Sequence, residues 1–150
     1  MLTNPPNNIL INYIVTSSNL YGILPIHYSR GYYRLWMISI VISSILMHAS
    51  ETKHNLPGIY PFNKYSQQFL WLDRIMAISP IIYLLVQYIL YKKSPLVYLS
   101  SPKFIIGLIC LFLSENFHLH SKINPYFFAF THSLWHFCAY HTCYLFLINL

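Results

Sequence analysis

Two histidines four residues apart, His132 and His136, carry the first chemical signal in this chain of 150 residues. On a helix that spacing puts both imidazoles on one face, with Cβ atoms about 6 Å apart, so the pair can hold one ion. His48, from a facing helix, offers a third neutral nitrogen donor. Three imidazoles bonded to zinc at about 2.0–2.1 Å leave one coordination position for water, the arrangement of catalytic zinc. A zinc ion lowers the pKa of such a water from about 15.7 to about 7. Ser44 stands one turn before His48, where a hydroxyl can donate to a developing oxyanion. Asp73 opens the next helix, where a carboxylate can take the water proton or orient the nucleophile.

Each of these residues also has a plainer use. A histidine inside a membrane helix serves as an interhelical hydrogen-bonding group. Ser44 is small enough for a packing seam. Asp73 can pair with Arg74 or favour a helix N-terminus. The Ser-x-x-x-His spacing recurs at Ser50/His54 and Ser114/His118, in or beside loops, so alone it is weak. Glu51, three residues after His48, is expected to cap a solvated helix end. His141 lies five residues beyond His136, about 80° around the axis from His132, and is expected to pack. His118 and His120 fall in a loop that could line an entrance.

The elements that must position these groups are membrane helices. Hydrophobic residues make up 56% of the chain and charged residues 8%, against roughly 25% charged in soluble domains. With nine basic and three acidic side chains, too little charge exists to coat a water-facing surface. The same balance excludes disorder. The net charge of +6 is spread from Arg30 to Lys122 with no basic run, so nucleic acid is excluded as a partner and the cations read as flanks of membrane segments. Cys110, Cys138 and Cys143 lie in apolar stretches with no Cys-x-x-Cys, so they are read as packing residues.

A membrane helix needs about 20 mainly apolar residues. Helices are predicted over 34–50, over 69–91 with a kink at Pro80, over 95–114 with Pro102 and Lys103 interrupting its first half, and from Pro125 to the C-terminus. A weaker segment, 9–26, either crosses the membrane or lies on its surface, and no basic region precedes it to mark a cleaved signal peptide. The predicted fold is an all-α, polytopic membrane helix bundle of four to five transmembrane helices, one domain over 1–150, with 1–33 the weak first segment. Polar loops cover 51–68, with a turn at Pro57-Gly58, and 115–124. Alternating crossings bring Ser44, His48, Asp73, His132 and His136 toward one face. Arg30, Arg34, Lys92 and Lys93 collect in short segments on the other, which is expected to be cytoplasmic.

Ser44-x-x-x-His48 in one helix, Asp73 at the head of the next and His132-Ser-Leu-Trp-His136 in the last resemble the CREST superfamily. That superfamily includes alkaline ceramidases, GPI-remodelling hydrolases, progestin and adiponectin receptors and myomaker-like proteins. The resemblance spans about 34–150 but is carried by these scattered positions, and the chain has fewer helices than the family's seven. It implies zinc held by His48, His132 and His136, with Ser44 and Asp73 beside the water. The function expected is zinc-dependent hydrolysis of a lipid amide or ester bond inside the membrane, in an endomembrane or cell membrane. The alternatives are a structural zinc site in a receptor-like or membrane-remodelling protein, and a haem protein using His48 and one later histidine as axial ligands. The partners expected are the bilayer, a lipid substrate and a second copy of the chain.

Overall fold

No charge precedes Arg30, and the first apolar stretch runs as helix almost from its start. The computed structural model describes residues 8–91, 101–116 and 125–149, and no strand occurs among them. Helix α1 (Ile9–Ser18) passes through a 3-10 turn, Asn19–Gly22, into α2 (Ile23–Tyr28). The tightening has a local cause: the Ser17 and Ser18 hydroxyls and the Asn19 amide donate back to carbonyls of Ile14, Val15 and Thr16. Ile9–Tyr28 is nonetheless one stretch of 20 residues, long and apolar enough to cross a membrane. The weak segment of the sequence is therefore a full span by length and composition.

Helix α3 (Gly31–Ser50) returns in the opposite direction. At its start Arg34 donates to the carbonyls of Ser29 (3.0 Å) and His27 (3.4 Å), satisfying the end of α2. At its far end the Asn12 amide of α1 donates to the carbonyls of His48 (3.1 Å) and Glu51 (2.9 Å). Asn12 is buried, so these bonds replace water on α3's open carbonyls. Gly58 then turns the chain back under α3. Its φ of +65 favours glycine, and a Cβ there would sit 2.9 Å from the Ser50 carbonyl oxygen.

Helix α4 (Ser66–Tyr91) is continuous with Pro80 inside it, and Phe62–Leu90 is an apolar stretch of 29 residues. Helix α5 covers Pro102–Asn116. Pro102 and Lys103 form its first turn rather than interrupting it, because proline needs no N–H partner there and Ser101 Oγ accepts from the Phe104 amide at 3.3 Å. The predicted start at 95 lies outside the described residues, as do His118 and His120. Helix α6 (Pro125–Ile148) is about 36 Å long. Among the described residues, three helices are long and apolar enough to span: Ile9–Tyr28, Gly31–Ser50 and Phe62–Leu90. The histidines, tyrosines and threonines of α6 hold it below that apolarity.

The architecture is an all-α membrane bundle arranged around α6, which packs on α1, α2 and α5, while α3 packs on α1 and α4. Two buried clusters join these layers. Ile11, Val15, Leu56, Phe128 and Ala129 fill one end, and Met37, Ile40, Val41 and Tyr140 fill the middle. Gly22 permits the closest approach in this region, since a Cβ there would meet Val41 Cγ2 at 2.3 Å.

Candidate metal centre

His48 reaches the bundle interior from the last turn of α3, and His132 and His136 from successive turns of α6. All three are buried. One ring nitrogen of each lies within 4.8 Å of the other two. The ring centroids stand 4.5 Å (His48–His132), 4.9 Å (His48–His136) and 4.9 Å (His132–His136) apart, edge to face. No gap between any two rings admits a porphyrin, so the donor set does not fit haem.

The outer hydrogen bonds decide which nitrogens face the centre. His48 Nδ1 donates to Glu51 Oε2 at 3.0 Å, and a carboxylate only accepts. His136 Nδ1 lies 2.8 Å from Ser18 Oγ, whose single proton is used on the Val15 carbonyl at 2.7 Å. His132 Nδ1 lies 3.0 Å from Ser114 Oγ, whose proton is used on the Leu111 carbonyl at 2.8 Å. Both hydroxyls must therefore accept, and each histidine carries its proton on Nδ1. The three Nε2 atoms are left as the lone-pair donors of this buried cluster, with the Ser44 hydroxyl 3.4 Å from that of His136. Lone pairs gathered this way repel one another unless a cation sits among them, and Nδ1 partners of this kind orient metal-binding histidines. These residues fit a metal ion.

Glu51 corrects the sequence reading. It does stand at the end of α3, but it is 4% exposed and bonded to His48 rather than solvated. The only advance sign of this was its spacing, three residues after His48. Ser18, Ser114 and Asn12 carry no site signal in the sequence, because they come from segments whose packing on α3 and α6 is tertiary.

Ser44 and Asp73 are placed beside the histidines. Ser44 is buried, with Oγ 3.4 Å from His136 Nε2, and interacts with both Asp73 and Tyr140. Asp73 makes no ion pair with Arg74 among the described residues. Tyr140, one turn after His136, donates to Asn19 Oδ1 at 2.8 Å and is a site neighbour that sequence spacing did not mark. His141 stands apart, against Tyr21 and Lys103. The three cysteines are free thiols within the packing.

The histidines do not form a closed knot. A cavity of about 330 Å³ lies between α3, α4, α5 and α6. Ser44, Asp73, His132 and His136 line it together with Arg74 and Glu115, and most of its remaining lining is apolar, from Met37, Leu84 and Trp135 to Phe146 and Leu147. The cavity exists because α4 leans on α3 without backbone approach to α5 or α6 among the described residues. Its volume is at the lower end of the range of about 300–1,000 Å³ typical of small-molecule sites. No family model, no curated protein and no solved structure matches this chain.

Proposed function

We propose that the protein is a zinc-dependent intramembrane hydrolase acting on a lipid amide or ester bond, a shortened relative of the CREST superfamily. The observation that carries this reading is that the histidine cluster opens, beside Ser44 and Asp73, into a mostly apolar cavity. A structural site in a receptor-like or remodelling protein needs neither the opening nor the carboxylate.

His48, His132 and His136 would hold the ion; zinc suits three neutral imidazoles with one open position. When bound, zinc supplies Lewis acidity, acidifying water and polarising a carbonyl oxygen. The chain's own residues do the rest. The apolar walls hold the acyl chain and place its carbonyl carbon at the polar end, excluding bulk water. Asp73 accepts the proton of the attacking water and passes it to the leaving amine or alkoxide. Ser44 donates a hydrogen bond to the oxyanion as the carbonyl carbon becomes tetrahedral. Glu51, Ser18 and Ser114 hold the imidazoles in the orientation that keeps Nε2 inward.

The test is Asp73→Asn in detergent-purified protein, read by metal analysis and by release of fatty acid from ceramide and phospholipid substrates. Native protein is expected to hold one zinc per chain and release fatty acid. The variant is expected to keep zinc and lose turnover by about 10²–10⁴-fold. Full turnover in the variant would remove Asp73 from the mechanism. Absence of hydrolysis with zinc bound in the native protein would favour the structural reading.

A further inference from the structure

A second polar cluster lies on α6 beyond the histidines, toward the end at which α5 begins. All three side-chain carboxylates of the chain, Glu51, Asp73 and Glu115, gather at the histidine end: Glu51 on His48, Asp73 and Glu115 on the cavity. Lys103, in the first turn of α5, stands at the other end, where no side-chain carboxylate exists to neutralise it. Its Nζ donates to His141 Nε2 at 3.1 Å. With Nε2 accepting, the His141 proton sits on Nδ1, directed at the Tyr21 hydroxyl oxygen 3.4 Å away. The Tyr21 hydroxyl proton and two ammonium protons are then left as donors. Neither Lys103 nor Tyr21 has a further hydrogen-bond partner among the described residues.

The surroundings distinguish a lipid from a free anion. Phe137, 45% exposed, lies between the Tyr21 ring (4.3 Å) and the His141 ring (6.3 Å, nearly parallel). Tyr144 and Tyr28 continue the aromatic surface from His141. The cluster thus combines three remaining donors, the ammonium of Lys103 and exposed aromatic rings beside it. Phosphate oxygens accept from such donors, and acyl chains cover such rings. Basic pockets between membrane helices bind anionic headgroups in this way. We propose that Lys103 and Tyr21, joined through His141, form a binding site for the phosphate of an anionic membrane phospholipid, with Phe137 beneath its acyl chains. The site is separate from the histidine centre and independent of any hydrolysis there.

The test uses the full chain reconstituted in equal phosphatidylglycerol and phosphatidylcholine, released gently and weighed by native mass spectrometry. Retained phosphatidylglycerol is expected to exceed phosphatidylcholine in the native protein. Lys103→Gln is expected to lower that preference about fivefold, the value of one cation at a membrane surface. Lys103→Arg is expected to keep it, as is Lys64→Gln at the other end of the bundle. Equal retention of the two lipids by native protein would overturn the proposal without recourse to any variant. So would an unchanged preference in Lys103→Gln. Displacement of phosphatidylglycerol by millimolar inorganic phosphate would show a free-anion site and overturn the lipid assignment.

Discussion

At the scale of single residues, the inward-facing Nε2 atoms of His48, His132 and His136 follow from what their Nδ1 atoms already bind. Glu51 is the strongest of these partners, because it is a buried carboxylate where the other two are hydroxyls. Glu51→Gln keeps the shape but can present an N–H to Nδ1, so the tautomer is no longer enforced. Its metal affinity is expected to fall about 10–100-fold, measured by competition with a chromophoric chelator. His132→Ala/His136→Ala is expected to lose the metal outright. Native affinity in Glu51→Gln would show that the carboxylate does not orient His48. Acidification is expected to release the metal, since protons compete for the same Nε2 lone pairs. Occupancy that did not fall on titration to low pH would argue against imidazole donors.

At the scale of elements, the first span is part of the site. It ties down the end of α3 through Asn12 and orients His136 through Ser18. Its close seating against α3 depends on Gly22. Gly22→Ala places a Cβ 2.3 Å from Val41 Cγ2, and valine is stiff at χ1, so the helices must move apart. A loss of about 1–3 kcal/mol is expected in thermal or denaturant unfolding of the detergent-solubilised protein. The same separation withdraws Ser18 from His136, so weaker metal binding is expected to accompany it. A variant as stable as the native chain would show that the seam tolerates a methyl group.

At the scale of the whole molecule, the cavity is what separates a lipid-hydrolysing reading from a structural one. Ala139 lines it but makes no contact named in the metal centre. Ala139→Phe is expected to occupy acyl-chain space, lowering lipid hydrolysis while leaving metal content at the native level. Loss of metal together with activity would mean that the substitution disturbs α6 itself. Unchanged hydrolysis would move the substrate to another surface.

The sequence by itself determined the class of the molecule and the inner set of groups. Eight per cent charge cannot coat a soluble surface, and four-residue spacing on a helix puts His132 and His136 on one face whatever packs against them. Ser44 and His48 share a helix face for the same reason. These are local consequences, carried by composition and by helical period. Only the tertiary structure decided that 9–28 joins the bundle, that Glu51 turns inward, and that Ser18 and Ser114 complete the outer shell. It also decided that α4 stands away from α6 to leave a cavity. Each of those facts depends on contacts between segments distant in the chain, and no local period records which helix lies beside which.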